Sequence, residues 1–308
     1  MYSDEPALPS SKRRSDMRRI WVLTALVAFG VSVALSYMGA QENVAEIEQV
    51  KGNLYVITGG GGNTAAFVTD AGVVVVDTKN PGWGEAILDK IRTVTDKPVT
   101  MIVNTHTHGD HVGSNIDFSG SVEVVAHANT KTNMEKMAPF QTERGKGFLP
   151  SRTYQDRITL LEGDDRIDLY HFGRGHTSGD SIVVFPALRV AHTGDLFAWK
   201  GVPYIDVGNG GSGVEYPETL LAAADGIKAV DIVIPGHSPV MTWSDFREFG
   251  EFNRDFLAAV ERNKRSGKSA EEAAASLNLP ARYSNYAMSR GTLTSAEDNA
   301  KKIYAELE

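Results

Sequence analysis

Residues 106–111 read His-Thr-His-Gly-Asp-His, and this segment restricts what the chain can fold into more than any other. It follows an apolar run, 99–103, which predicts a buried strand. The polar cluster therefore lies where a strand ends and a loop begins. Such a loop can direct several side chains at one point, and imidazole nitrogen suits zinc and related transition metals. Within a turn, the first two histidines can converge on one ion while the aspartate and the last histidine face a second. The segment thus predicts a metal centre and favours an enzyme.

Three further side chains of the same chemistry follow other apolar runs. The chain contains eight histidines, three of them in residues 106–111. His176 and His237 lie in loop-like surroundings after apolar runs, and Asp195 closes another strand-like run. Each lies close to a glycine, which lets the backbone approach a metal closely. The candidate metal ligands are therefore His106, His108, Asp110, His111, His176, Asp195 and His237.

The order HxHxDH, followed along the chain by His, Asp and His, resembles the metallo-β-lactamase-fold superfamily of metallohydrolases. Asp77, which closes the apolar run 73–76, matches the Asp that ends an early strand near the metals in that superfamily. The resemblance covers residues 44–240 and includes all five motif positions in order. It implies an α/β fold, an αββα sandwich with a two-metal site at one edge of the paired sheets.

The resemblance also implies how the candidate ligands are shared between two ions. One ion is held by His106, His108 and His176, the other by Asp110, His111 and His237, and Asp195 bridges both. We expect two zinc ions, with iron or manganese as alternatives, because imidazole and carboxylate ligands accept all three. Two cations about 3.5–4 Å apart lower the pKa of a shared water and supply a bridging hydroxide near pH 7. Asp110 is the expected catalytic residue, which orients this nucleophile and moves a proton.

The residue at position 195 limits the types of bond that the enzyme is expected to cleave. True metallo-β-lactamases place other residues at that position, in some subclasses a cysteine, whereas an Asp resembles the thioesterases and lactonases. The predicted function is a dinuclear hydrolase of an ester, thioester, lactone or amide-type bond, with β-lactams as side substrates. Two alternatives stay open: a mononuclear iron enzyme that oxidises persulfides, and a non-catalytic metal-binding module. Retention of all the dinuclear ligands disfavours the first alternative.

Four polar side chains outside the ligand set receive more modest interpretations. Asp77 is expected to hold the second ring N–H of a ligand histidine and so fix its tautomer, although a simple strand end is the alternative. His192, three residues before Asp195, is interpreted as structural or as a support for a ligand. His127 and His171 are interpreted as structural.

The charge balance limits the class of substrate. The formal net charge is −8, and residues 1–19 carry five basic and three acidic side chains, so the remainder carries −10. An acidic catalytic region argues against nucleic acid as the substrate, because neutralising phosphates requires a basic face. The absence of cysteine excludes a disulfide framework and a thiolate zinc site. We expect a small-molecule substrate; the sequence carries no sign of the oligomeric state.

Residues 20–38 contain no charged side chain and follow the basic tail 1–19. This length is long for the apolar core of a signal peptide and sufficient for a membrane span. The segment is therefore either a signal peptide or a membrane anchor. In both cases the positive-inside bias keeps the tail cytoplasmic and places the enzyme outside, in the periplasm or another extracytoplasmic space. If it is uncleaved, the segment attaches the enzyme to the inner membrane.

The remaining chain divides into a catalytic domain, 42–241, and a helical C-terminal extension, 242–308. In the catalytic domain, strands are predicted over 44–58 and 64–76, and helices over 83–94 and 128–137. The intervening Gly-Gly-Gly-Gly-Asn is expected to form a tight hairpin over the active site. In the extension, phenylalanines recur on one face of a predicted helix over 242–265, and Ser269 and Ser295 begin capping signals for two further helices.

Two loops are candidates for substrate contacts. Our hypothesis for residues 138–156 is that they cover the metal site and bind an anionic or partly apolar substrate; the alternative is a solvated loop whose aromatic residues pack on the core. Residues 207–213 are glycine-rich, and Asn209 or backbone N–H groups there can donate to an oxyanion, with a plain flexible loop as the alternative. The basic residues of the first loop are Arg144, Lys146 and Arg152, and its aromatic residues are Phe140, Phe148 and Tyr154.

Overall fold

The computed structural model describes residues 44–308. The basic tail and the hydrophobic segment predicted within residues 1–38 lie outside the described residues. Among the helices of residues 44–308, none combines the length and apolarity needed to cross a bilayer.

The first sheet contains seven strands, whose order in space follows their order in the chain. Its first four strands pair antiparallel, and the last three pair parallel. The strands are β1 (Glu46–Lys51), β2 (Leu54–Thr58), β3 (Thr64–Val68), β4 (Val73–Val76), β5 (Val99–Asn104), β6 (Glu123–His127) and β7 (Arg152–Tyr154).

The second sheet contains six strands in the order β13-β12-β11-β10-β9-β8. All neighbours in it pair antiparallel except β11 and β12, which are parallel. The strands are β8 (Arg157–Leu160), β9 (Ile167–Tyr170), β10 (Ile182–Phe185), β11 (Val190–Gly194), β12 (Ile232–Pro235) and β13 (Met241–Thr242).

The α-helices of the described residues connect these strands and form most of the C-terminal region. They are α1 (Gly84–Arg92), α2 (Gly109–Val112), α3 (Ala128–Met134), α4 (Ala138–Gln141), α5 (Glu143–Lys146), α6 (Tyr216–Gly226), α7 (Trp243–Arg265), α8 (Ala270–Ala275) and α9 (Ala296–Glu306).

The core consists of apolar layers on both faces of each sheet. Between the sheets, Phe67 of β3 contacts Phe185 of β10, with ring centroids 4.9 Å apart. On the outer face of the first sheet, Ile87 and Ile91 of α1 pack against alternate residues of the strands. On the outer face of the second sheet, α6 and α7 cover the strands. A strand buried on both faces is apolar throughout, which explains the uninterrupted valines of β4. The predicted αββα sandwich is thus confirmed.

The helical C-terminal region is also confirmed. The phenylalanines of α7 at positions 246, 249, 252 and 256 are all buried, as their spacing predicts. Ser269 begins α8 with a capping box in which its hydroxyl accepts from Glu272 N–H. Ser295 caps α9 by accepting from the N–H of Asp298. Each cap satisfies a backbone donor that a helix start leaves without an intrahelical partner.

The predicted boundaries are wrong where a turn interrupts an apolar run. The run 44–58 contains β1 and β2, and the run 64–76 contains β3 and β4, each pair joined by a short turn. Gly52 (φ +55°) and Gly72 (φ +146°) take the positive φ that these turns require. The helix predicted over 128–137 ends at Met134.

Candidate metal centre

Strand ends place the predicted ligands. Residues 106–111 follow β5 and end in α2. Asp195 directly follows β11, and His237 follows β12 after one glycine. Because β11 and β12 are parallel, their carboxyl ends lie at the same edge of the sheet. His176 lies in the connection between β9 and β10. The structure therefore brings all seven predicted ligands together.

The first group of donors is His106, His108, His176 and Asp195. One donor atom from each lies within 4.8 Å of the others. Nε2 of His176 is 2.9 Å from Nδ1 of His108. The second ring nitrogen of each of these two histidines donates elsewhere, so both facing nitrogens present lone pairs to one another. Two facing lone pairs repel unless a cation lies between them.

The second group of donors is Asp110, His111 and His237, also within 4.8 Å of one another. Nε2 of His237 is 3.2 Å from Oδ2 of Asp110 and 3.4 Å from Nε2 of His111. Asp110 retains 31% side-chain exposure, whereas His111 is fully buried. Within this group, the side chain of Asp110 is therefore accessible to solvent and that of His111 is not.

Asp195 lies between the two groups. Its Oδ2 is 3.7 Å from Nε2 of His176, and its Oδ1 is 3.3 Å from Nε2 of both His111 and His237. Gly236 allows this position, since a Cβ there would lie 1.9 Å from Oδ1 of Asp195. This is the arrangement expected for a carboxylate that bridges two ions.

The residues present fit bound cations. Among the described residues, three buried side-chain atoms have no hydrogen-bond partner, and two of them, Nε2 of His106 and Oδ1 of Asp195, lie in this cluster. An unsatisfied buried polar atom costs about 1–3 kcal/mol, so it requires a ligand or a function. A cation held by the first group satisfies Nε2 of His106, one held by the second group satisfies Oδ1 of Asp195, and the nitrogen and oxygen donors suit zinc.

The carboxylates of the cluster favour bound positive charge, as the pKa values of their neighbours show. Burial opposes ionisation of Asp195, yet His111 and His237 hold the pKa of its carboxyl well below its usual range. Burial also opposes protonation of His237, yet the neighbouring carboxylates of Asp110 and Asp195 raise its pKa to about 9. Burial, together with the neighbouring His111 and His176, holds the pKa of His106 well below its usual range. The carboxylates thus draw protons onto one half of the cluster, as they would draw a metal ion.

Asp77 orients two of the predicted ligands. Its Oδ2 accepts a hydrogen bond from Nδ1 of His111 at 2.7 Å and another from Oγ1 of Thr105 at 2.7 Å. Oγ1 of Thr105 in turn lies 3.0 Å from Nδ1 of His106. The expected hydrogen bond between Asp77 and one of the predicted ligand histidines is therefore present. Each contact directs the opposite ring nitrogen, Nε2, towards the cluster.

Two further contacts of this kind were not predicted from the sequence. Nε2 of His108 donates to Oδ2 of Asp206 at 2.6 Å, and this hydrogen bond is the main reason why the pKa of Asp206 is lowered. Nδ1 of His176 donates to the backbone carbonyl of Tyr204 at 2.7 Å. The same short loop therefore fixes two ligands of the first group.

The glycine-rich hairpin lies against the cluster, as predicted. The N–H of Gly62 donates to the carbonyl of Asp110 at 3.0 Å, and a Cβ on Gly62 would come within 2.1 Å of the ring of His111. Below the hairpin, the fully buried Lys79 donates to the carbonyls of Ile57 and Gly62 at 2.8 and 2.9 Å. The hairpin is thus fixed from both sides.

The structure places both substrate-binding loops of our hypotheses elsewhere. None of the basic residues of 138–156 lines the cavity beside the cluster within the described part of the chain. The aromatic residues of this segment are buried, as the alternative interpretation expects, but the segment forms α4, α5 and β7 and is not a loop throughout. Asn209 does not line this cavity; its side chain donates to Asp206 at 2.6 Å and so supports the contact of Asp206 with His108.

The remaining three histidines have structural contacts. His127 and His171 stack on each other with ring centroids 3.9 Å apart. Nε2 of His192 donates to the carbonyl of Asn63 in the glycine-rich hairpin at 3.1 Å. His192 therefore supports the hairpin.

A cavity of about 370 Å³ opens above the cluster. Asp110, Asp195 and His237 face it from the metal centre. Its other lining residues that the sequence did not single out are Trp199, Tyr204, Arg290 and Leu293. The volume suits a small-molecule substrate.

The αββα sandwich thus gathers histidines and carboxylates into two adjoining donor groups, which form a candidate metal centre. A family model described as the Metallo-beta-lactamase superfamily matches residues 57–239, more than half of the chain. The chain belongs to this superfamily and is one of its metal-dependent hydrolases.

The individual relatives share less than a third of their aligned residues with this chain. The chain is 29% identical over 185 residues to a type 2 metallo-beta-lactamase of Elizabethkingia meningoseptica, covering 55% of this chain and 68% of that protein. It is 29% identical over 126 residues to a hydroxyacylglutathione hydrolase of Trichodesmium erythraeum, covering 38% and 41%. The structure of the sec-alkylsulfatase Pisa1 from Pseudomonas sp. aligns with a TM-score of 0.68 at 16% identity, covering 86% of this chain and 50% of that chain. This last likeness shows the fold alone, and the chain spans only half of the sulfatase.

Proposed function

We propose that this protein is a dinuclear zinc hydrolase that cleaves an ester, thioester or lactone bond of a small molecule. The single observation that carries the proposal is the position of Asp195, whose two oxygens face separate donor groups. When bound, two cations of this kind lower the pKa of a shared water and polarise a substrate carbonyl. A single ion held by two histidines and an aspartate would leave the second donor group, Asp110, His111 and His237, without a role.

The residues of the chain supply order and proton transfer. The contacts of Asp77, Thr105, Asp206 and the carbonyl of Tyr204 orient the ligand histidines before substrate arrives. Asp110 lines the cavity and is the more exposed of the two predicted ligand carboxylates, so it is placed to accept a proton from the attacking water and return it to the leaving group.

The bond class follows from the same residues. The position of Asp195 carries a carboxylate, and the chain contains no cysteine that could replace it. Among the relatives, hydroxyacylglutathione hydrolase carries a thioesterase-type name and the type 2 enzymes are β-lactamases, so carbonyl chemistry of both kinds is supported. We place thioesters and lactones first and β-lactams as side substrates.

Metal quantification followed by a substrate panel tests the proposal. Protein isolated without added metal is expected to contain close to two equivalents of zinc and to hydrolyse at least one thioester, lactone or activated ester. Asp110→Asn, with Asp231→Asn as a control at an exposed ion pair with Arg189, is expected to lower kcat by about 10²–10⁴-fold. One equivalent of iron, with oxygen uptake dependent on a persulfide, would replace the proposal by the oxidative alternative.

We also propose that the enzyme acts outside the cytoplasm, on the strength of the charge pattern in residues 1–38. Cell fractionation and N-terminal sequencing of the full chain test this. Recovery of the intact N-terminus from the membrane fraction indicates an anchor, and a new N-terminus in the soluble periplasmic fraction indicates a signal peptide. Recovery from the cytoplasm overturns the proposal.

A further inference from the structure

We propose that Arg290 of the C-terminal extension binds a monoanionic oxygen group of the substrate, a carboxylate or a sulfate, beside the metal centre. The inference rests on the proposed hydrolase function and deepens it by naming the class of substrate. Arg290 is not part of any superfamily motif identified in the sequence. It lies in the C-terminal extension, beyond the last motif residue, His237.

Arg290 lines two cavities, both of which His237 also lines. It lines the cavity above the metal centre together with Asp110 and His237. It also lines a second cavity, of about 590 Å³, with Gly61 of the glycine-rich hairpin and again His237. A substrate bound in either cavity therefore lies close to the guanidinium of Arg290.

The guanidinium of Arg290 has no ion-pair partner among residues 44–308. It lies over the ring of Trp199, 4.2 Å from the centroid. Trp199 is itself fixed, because its Nε1 donates to the carbonyl of Val202 at 3.1 Å. In contrast, Arg282 of the same extension lies over Tyr283 and is paired with Asp255 and Glu251. Stacking orients the fork of Arg290 and leaves its N–H donors for a ligand.

The turn that carries Arg290 is anchored to the loop that follows Asp195. The N–H of Arg290 donates to the carbonyl of Thr294 at 2.8 Å. Thr294 is fully buried, and its hydroxyl donates to the carbonyl of Pro203 at 2.9 Å. The same two segments are also joined by the N–H of Val202, which donates to the carbonyl of Ala287 at 2.8 Å. The position of Arg290 relative to the metal centre is thus built into the fold.

Charge and shape define the ligand. Among the described residues that line the cavity above the metal centre, Arg290 is the single Lys or Arg. The whole chain carries −8, so an anion approaches this site against the field of the protein unless a local cation compensates. One planar guanidinium matches the two oxygens of a monoanion. Leu293, 49% exposed on the same turn, adds an apolar contact for the body of the substrate.

Binding of matched probes tests the inference without turnover. The fluorescence of Trp199 is followed while zinc-loaded protein is titrated with phenylacetate, phenylmethanesulfonate or the neutral phenylacetamide; Trp199→Phe identifies the signal. We expect the wild type to bind at least one anion about fivefold to tenfold more tightly than the amide. Arg290→Gln is expected to lose this preference, Arg290→Lys to keep part of it, and the matched control Arg282→Gln to keep all of it. The anion that binds more tightly shows whether the site prefers a carboxylate or the three-oxygen SO₃⁻ group that sulfonates and sulfate esters share.

Turnover gives a second readout. The 4-nitrophenyl monoester of glutarate is compared with its methyl-capped, neutral form, and the ratio of their KM values is measured. The ratio is expected to favour the anionic ester in the wild type and to approach one in Arg290→Gln, with the larger change in KM rather than kcat. Equal affinities for anion and amide in the wild type, or an undiminished preference in Arg290→Gln, overturn the inference. If zinc-loaded wild type hydrolyses neither ester nor any thioester or lactone, the proposed function fails, while the fluorescence titration still decides about Arg290.

Discussion

The ring Nδ1 of His111 donates a 2.7 Å hydrogen bond to Oδ2 of Asp77, and both side chains are fully buried. The same oxygen accepts from Thr105, which contacts His106. One carboxylate thus orients a predicted ligand in each donor group. We expect Asp77→Asn to weaken zinc binding by about 10–100-fold, because a neutral amide no longer fixes the tautomer or supports the basicity of the ring.

Competition with a chromogenic chelator measures this effect. Asp231→Asn serves as the control, since Asp231 pairs with Arg189 at the surface and contacts no predicted ligand. An Asp77→Asn protein that folds and binds zinc within twofold of the wild type contradicts the orienting role.

Asp206 is expected to act on one ion alone. It contacts His108, a member of the first donor group, and makes no contact with the second group within the described residues. Asp206→Ala is therefore expected to lose one equivalent of zinc at a chelator concentration that leaves two on the wild type. Asn209→Ala, which removes a 2.6 Å hydrogen bond to Asp206, is expected to have a smaller effect in the same direction. Metal analysis after gel filtration distinguishes this outcome from a uniform loss of both ions.

The sequence could predict the ligand positions because each ligand follows an apolar run and lies near a glycine. This pattern is local for residues 106–111, and it repeats at His176, Asp195 and His237. The αββα sandwich came with the resemblance that these residues carry. That these side chains bind two zinc ions is a prediction, which metal quantification tests.

The residues that orient the ligands could not be predicted in the same way. The contact of His176 is a backbone carbonyl, which any residue at position 204 would supply. Asp206 looks like an ordinary loop aspartate until the chain folds back on His108. The hypothesis for residues 138–156 was wrong for a related reason. The polar composition of this segment indicated an exposed loop over the metal site. Phe140 is instead buried by packing against α3 and the end of α2. Long-range packing of this kind has no period in the sequence.

Gly62 allows the hairpin to approach the metal centre. A Cβ at this position would lie 2.1 Å from Cε1 and 2.4 Å from Nε2 of His111, and the buried ring cannot withdraw. We expect Gly62→Ala to destabilise the protein by about 1–3 kcal/mol through overpacking and to weaken zinc binding. Gly120→Ala is the matched control, because a Cβ there meets open space. Chemical denaturation with and without zinc measures both effects, and equal stability of the two variants would contradict the close contact.

Lys79 is the buried amine beneath the same hairpin. Burial lowers its pKa to about 7 against the ordinary value of 10.5, and the neighbouring Asp77 opposes this shift. Between these two pH values the unfolded chain holds a proton that the folded protein does not. The free energy of unfolding therefore rises with pH across this window, and below about pH 7 both states are protonated and the dependence ceases.

Lys79→Met is expected to remove this pH dependence. The difference in unfolding free energy between wild type and variant should grow by roughly 2 kcal/mol from about pH 7.5 to about pH 9.5, since one unit of pKa shift corresponds to about 1.4 kcal/mol. Lys97→Met controls for the lost hydrogen bond, because Lys97 donates to the carbonyl of Thr69 from a partly exposed position. Urea denaturation at saturating zinc across this range gives the measurement. A difference that stays constant with pH would mean that Lys79 keeps its proton in the folded protein, stabilised by Asp77 and by the carbonyls of Ile57 and Gly62.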